Sequence, residues 1–144
     1  MSKKPLFWEM FLFVLCMGVL NAIAMHFFLY WKLNEFDSLV HFSGGAAVSA
    51  TILWLYFYSP FFKPVNRGLK SFILVSVLGI IAVGFIWEIF EIVIDATSVT
   101  DPKYSYDTTL DIIMDTLGAL AACLYGYLRE LESKKAQVES YEQS

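Results

Sequence analysis

Ionisable side chains recur at helical spacing in three apolar stretches of this sequence. The three sets are Asp37 with His41, Glu88 with Glu91 and Asp95, and Asp107 with Asp111 and Asp115. Each set lies on one face of a helix, because an α-helix repeats about every 3.6 residues. Carboxylates combined with an imidazole are ligands of hard and borderline divalent cations. The pattern therefore predicts a divalent metal site, with Mg²⁺, Mn²⁺, Ca²⁺ or Zn²⁺ as the candidate ions.

The residues predicted to bind the metal are those that lie deepest in the apolar stretches. They are His41, Glu88, Glu91, Asp111 and Asp115. An ionised acid within hydrocarbon costs about 2.5–3.5 kcal/mol even on the most favourable scale. Such acids must therefore face water, be protonated or bind a cation. The secondary candidates, which lie nearer the interface or alone on an apolar helix, are Asp37, Asp95, Asp107 and His26.

The elements that carry these residues are predicted to be membrane-spanning helices. Hydrophobic residues make up 58% of the chain and charged residues 17%, a composition too apolar for a soluble domain. A helix needs about 20 apolar residues to cross a bilayer. The qualifying segments are 7–31, 39–62, 71–95 and 108–128. We expect an all-α integral membrane four-helix bundle, one domain over residues 1–128, followed by a charged tail over 129–144.

The distribution of positive charge predicts how the four helices are oriented. The N-terminus, the loop between the second and third spans and the C-terminal tail share one side of the membrane. That side carries eight of the ten lysine and arginine residues, and the other side carries only Lys32 and Lys103. The positive-inside rule therefore places both termini in the cytoplasm and the acidic sets at the outer surface of the inner or plasma membrane.

A cluster of acids and histidine on one side of a membrane is compatible with three functions. A metal there could activate water or orient a phosphate, as in a metal-dependent hydrolase or transferase acting on a lipid or lipid-linked envelope substrate. The metal could instead staple a non-enzymatic structural or partner-binding protein. A cation or proton transporter would need polar groups that continue inward, where the third and fourth spans offer little beyond Ser71 and Ser76. The sequence leaves open whether the chain is an enzyme.

The expected surroundings and partners follow from the same pattern. Membrane lipid must cover the apolar helices, and nothing in the sequence favours nucleic acid as a partner. Both a homo-oligomer and a protein partner within the membrane are compatible with the sequence.

The spacing of the acids also resembles that of known families. The motifs that carry the resemblance are Asp37-x-x-x-His41-Phe42, Trp87-Glu88-x-x-Glu91-x-x-x-Asp95 and Asp107-x-x-x-Asp111-x-x-x-Asp115-x-x-Gly118-Ala119. Over roughly residues 36–122 the chain resembles small bacterial membrane proteins of the YjdF-like kind. More distantly it is similar to VanZ-like proteins, which are associated with glycopeptide (teicoplanin) resistance. The resemblance implies a polytopic protein of the cell envelope with a site among these acids, and it implies no particular reaction.

Overall fold

Four long helices and one short helix make up the described part of the chain. The computed structural model of the protein describes residues 7–33, 36–94, 98–100 and 102–142. Its helices are α1 (Phe7–His26), α2 (Leu29–Lys32), α3 (Phe36–Tyr58), α4 (Leu69–Val93) and α5 (Tyr104–Glu142). All except α2 are long and apolar enough to cross a membrane. The predicted all-α four-helix membrane bundle is confirmed.

The first helix ends earlier than the span predicted over residues 7–31. Phe28 adopts a left-handed backbone conformation with φ 56° and ψ 39°, which a bulky residue rarely adopts. This turn ends α1 at His26 and starts the single turn of α2. The hydroxyl of Tyr30 then donates a 2.6 Å hydrogen bond to Asn21 Oδ1, which ties α2 back to α1. The predicted end of the third span, at residue 95, lies outside the described residues.

The last helix is longer at both ends than the predicted span over residues 108–128. It begins at Tyr104 and continues to Glu142, so the charged tail is helical. No glycine or proline interrupts the chain after Gly126. Ion pairs one turn apart support this extension, with Lys134 Nζ 3.4 Å from Glu130 Oε1 and Lys135 Nζ 4.0 Å from Glu139 Oε1.

The closest helix contact, between α3 and α5, depends on two glycines. A Cβ added at Gly45 would lie 2.6 Å from the Cα of Asp115. A Cβ added at Gly118 would lie 2.9 Å from the backbone nitrogen of Ala46, and closer still to the carbonyl oxygen of Phe42. Small residues allow such backbone contact between helices in a membrane, where van der Waals packing drives association.

Below these glycines the centre of the bundle contains one polar pair and then an apolar layer. The hydroxyls of Ser49 and Ser76, both fully buried, lie 2.5 Å apart and 3.2 and 3.0 Å from the carbonyl oxygen of Ala119. The apolar layer closes the centre of the bundle, and the Phe57 and Phe72 rings within it stack at 4.0 Å. Its buried members are Leu53, Phe57, Phe72 and Cys123.

The end of the bundle opposite His41 is held by ion pairs. Arg67, in the loop between α3 and α4, binds the buried carboxylate of Glu130 on α5. Arg129 Nη2 lies 2.8 Å from Glu9 Oε1 and so joins α5 to α1. These pairs place the start of α1 beside the middle of α5, as an up-and-down bundle requires.

We expect reporter fusions to place both chain termini in the cytoplasm, because the end of the bundle rich in lysine and arginine should remain inside. At Ser144 and within the 59–68 loop, a reporter that works only in the cytoplasm should be active, and a reporter that works only outside the membrane should be inactive. A reporter inserted after Lys103 should be active only outside. A C-terminal alkaline phosphatase fusion with full activity would contradict this orientation.

Candidate metal centre

The candidate site is built around the imidazole of His41, in the second turn of α3. Its Nε2 atom lies 3.5 Å from Asp111 Oδ1 and 3.9 Å from Asp37 Oδ1. Its Nδ1 atom lies 3.5 Å from Asp115 Oδ1. One imidazole is thus surrounded by three carboxylates from two helices, with Asp37 one turn before His41 on α3 and with Asp111 and Asp115 one turn apart on α5.

The glycine contact between α3 and α5 explains why these side chains meet. Gly45 lies one turn after His41 on α3, and its Cα packs against the backbone of Asp115. Because neither glycine carries a side chain, the two helices approach until the imidazole fits against Asp111 and Asp115. A larger residue at either position would separate the histidine from the acids.

Burial differs sharply between the members of the cluster. The side chains of His41, Asp111 and Asp115 are only 16%, 17% and 20% exposed, whereas that of Asp37 is 53% exposed. The cluster therefore opens to its surroundings past Asp37 and is enclosed on the α5 side. An ion or substrate would reach His41 from the end of the bundle.

Helix α4 adds two further carboxylates beside this cluster. Glu88 Oε2 accepts hydrogen bonds from the Tyr104 hydroxyl and from Thr108 Oγ1, each 3.2 Å long. Tyr104 and Thr108 precede Asp111 on α5 by about two turns and one turn, so these bonds place Glu88 beside the face of α5 that carries the acids. Glu91 follows Glu88 by three residues on α4.

Three donor atoms of the cluster lie close to the spacing of ligands on one ion. Two ligands that each lie about 2.1–2.4 Å from an ion stand roughly 3.0–3.9 Å apart at bond angles near 90–110°. Single donor atoms of Asp37, His41 and Asp111 all lie within 4.8 Å of one another. Small side-chain rotations would bring these atoms to ligand spacing. The same contacts would also suit a protonated His41 that pairs with the acids. The geometry is therefore compatible with either a metal site or an ion-pair cluster.

Comparison with known proteins identifies the family. A family model described as "Predicted membrane protein (DUF2238)" matches residues 4–131. The chain belongs to this family. No curated protein and no solved structure matches the chain.

Membership of the DUF2238 family agrees with the YjdF-like resemblance seen in the sequence. The matched segment includes α1 to α4 and the part of α5 that carries Asp111, Asp115 and Glu130. Both the candidate metal centre and the ion pairs at the opposite end therefore lie within the DUF2238 region. The VanZ-like similarity stays a prediction.

The other predicted candidates are placed differently from the cluster. His26 is exposed, and its ring packs edge-on against Phe27 at a centroid distance of 4.9 Å. Asp107 is exposed and is not among the described carboxylates that contact His41. Asp95 lies outside the described residues. Their roles as metal ligands stay predictions.

Two partners of the site were missed in the sequence. Tyr104 and Thr108 hold Glu88, although neither residue is a usual metal ligand. The signal that could have found them is their spacing, because they precede Asp111 and Asp115 on one side of the same helix. Their hydrogen bonds fix one oxygen of Glu88.

Proposed function

We propose that the protein binds one divalent cation between α3 and α5, with Asp37 Oδ1, His41 Nε2 and Asp111 Oδ1 as ligands. The observation that carries this proposal is the placement of the two imidazole nitrogens. Nε2 faces Asp37 and Asp111, while Nδ1 faces Asp115. A histidine ligand commonly donates its second N–H to a carboxylate, which fixes the ring and raises its basicity. Asp115 would then orient His41 and need not bind the ion.

The donor set favours a borderline ion over a purely oxygen-seeking one. Two carboxylates and one imidazole suit Mn²⁺ or Zn²⁺ better than Mg²⁺ or Ca²⁺, which take oxygen ligands almost exclusively. Carboxylates around one cavity repel one another, and a cation between them relieves that repulsion. A bound cation would therefore explain why acids of α3 and α5 lie together within a membrane protein.

A reaction at this ion is supported by its incomplete protein coordination. Three protein ligands leave positions for water or a substrate oxygen, as in catalytic metal sites. Asp37 marks an open edge of the cluster, through which a substrate could reach the ion. We propose hydrolysis or group transfer on a lipid or lipid-linked phosphate at the membrane surface.

Two other functions compete with this one. A metal staple without catalysis is supported by the way the cluster joins α3 to α5. A cation or proton conduit is disfavoured because the layer of Leu53, Phe57, Phe72 and Cys123 closes the bundle below the buried serines. Incubation of Mn²⁺-loaded protein with phospholipid vesicles distinguishes the enzyme from the metal staple, because only an enzyme releases a phosphate-bearing product.

We expect Mn²⁺ or Zn²⁺ to stabilise the purified wild-type protein and His41→Gln to lose most of that effect. An ion that binds only the folded state contributes about 2.7 kcal/mol at a hundredfold excess over its Kd. The measurement is the melting temperature in detergent with chelator and then with added metal. Glu139→Gln is the control, because this exposed acid lies on α5 far from His41. Identical, metal-independent melting of all three proteins would defeat the metal site.

A further inference from the structure

The end of the bundle opposite His41 contains an ion pair between a buried carboxylate and a partly exposed guanidinium. Arg67 Nε and Nη2 donate to the two carboxylate oxygens of Glu130 at 2.8 and 2.9 Å, while Nη1 donates to the carbonyl oxygen of Phe57 at 2.8 Å. The Tyr58 hydroxyl donates to Glu130 Oε2 at 2.8 Å. Glu130 is only 4% exposed. We call these three side chains, Arg67, Glu130 and Tyr58, the clamp.

The clamp holds the same side of α5 that carries the acids of the candidate site. Glu130 follows Asp115 by 15 residues, which on an α-helix is about four turns and 60°. The residues between them that are buried on this side are Gly118, Ala119, Cys123 and Gly126. Because α5 is continuous from Tyr104 to Glu142, a rotation at Glu130 is carried to Asp111 and Asp115.

The middle of this side has few side chains that interlock with α3. Gly45 and Gly118 set how closely α3 and α5 approach, and the fully buried residues of this stretch are small. The half-buried Tyr127 packs against the apolar layer, with its ring 5.6 Å from that of Phe72 on α4.

The buried Ser49 and Ser76 bond to each other, and their described hydrogen bonds to α5 go to the backbone carbonyl of Ala119 and not to a side chain of that helix. Lipid also gives little penalty for turning one apolar face of a helix outward in place of another. The bidentate geometry of an Arg–carboxylate pair, in contrast, specifies direction.

We propose that the clamp is a positioning element that sets the rotation of α5 and thereby places Asp111 and Asp115 against His41. A rotation of about 30° would move a carboxylate that stands about 5 Å from the helix axis by roughly 2.6 Å. That displacement exceeds the tolerance of a metal site. The consequence for metal binding rests on the proposed function, whereas the consequence for geometry does not.

The first test measures geometry without any metal. Asp37→Cys and Asp111→Cys are introduced together into a chain that carries Cys16→Ser and Cys123→Ala, and the rate of disulfide formation is measured in detergent. Disulfides form only when the two Cα atoms lie within about 7 Å of each other in a suitable orientation. Glu130→Gln and Arg67→Gln should slow this rate about tenfold or more, because a rotated α5 less often brings the two thiols into bonding geometry. The control Arg129→Gln breaks only exposed ion pairs and should leave the rate unchanged.

The second test measures Mn²⁺ affinity in proteins that retain both acids. The clamp variants should bind Mn²⁺ about 10–100-fold more weakly than wild type while Arg129→Gln binds it normally. If wild type binds no Mn²⁺, the proposed function fails, and the disulfide rates still decide the positioning role. Arg67→Lys keeps the positive charge but loses the two guanidinium N–H groups that bind Glu130, so its disulfide rate should lie between those of wild type and Arg67→Gln. This variant tests the positioning role even if Glu130→Gln does not fold. Lower melting temperatures with unchanged disulfide rates would overturn the proposal and leave the clamp a general stabiliser.

Discussion

Gly118→Ala is expected to destabilise the bundle by about 3 kcal/mol, the upper end of the usual cost of overpacking. A methyl group at this position would overlap the backbone of Phe42 and lie 2.9 Å from the nitrogen of Ala46. Backbone atoms cannot rotate away as a side chain can, so α3 and α5 must separate. Gly45→Ala should behave similarly, because its methyl group would meet the backbone of Asp115.

Gly44, the residue before Gly45, provides a matched control. A Cβ at Gly44 meets nothing within 4 Å, so Gly44→Ala should be neutral or stabilise α3 by up to about 1 kcal/mol through helix propensity. The free energies of unfolding of Gly118→Ala, Gly45→Ala and Gly44→Ala are measured by denaturation in detergent. Equal stability of Gly44→Ala and Gly118→Ala would refute the close contact between α3 and α5. Separation of these helices should also weaken Mn²⁺ binding, since His41 and Asp111 lie on opposite sides of the contact.

The sequence predicted the helices and the grouping of the acids because both depend on local pattern. Apolar length defines a membrane span, and spacing along one helix places Asp111 and Asp115 on one face. The point at which α1 ends could not be predicted in this way. It depends on Phe28, which adopts a left-handed conformation that its type disfavours and that no turn residue signals.

The sequence pattern also could not predict which face of each helix packs against its neighbours. In a soluble helix the polar face marks the outside, but in lipid an apolar residue can face either outward or inward. Glu130 illustrates the difficulty, because it follows Arg129 in a charged segment predicted to be a tail. Its partner Arg67 lies 63 residues earlier in a loop. Only the fold brings these two charges together and buries the carboxylate of Glu130.

Asp111→Asn and Asp115→Asn should weaken metal binding to different degrees, because the first residue would be a ligand and the second an orienting partner. Loss of a charged ligand should reduce Mn²⁺ affinity more than about a hundredfold, beyond the 10–100-fold range typical of orienting partners. Asp115→Asn should fall within that range. Asp107→Asn, an exposed change one turn before Asp111, should leave the affinity near that of wild type.

The stability of the metal-free variants separates the metal site from a plain ion-pair cluster. With three carboxylates close to one imidazole, removal of one acid relieves like-charge repulsion, so Asp111→Asn should melt no lower than wild type in chelator. If His41 is instead a protonated hub that holds the helices through its acids, removing a partner from a largely buried pair should cost up to about 3–5 kcal/mol. The melting temperatures of wild type, Asp111→Asn and Asp115→Asn in chelator and then in Mn²⁺ decide between them. Loss of stability in chelator without any response to metal would favour the ion-pair cluster, because the acids would then stabilise the fold by themselves.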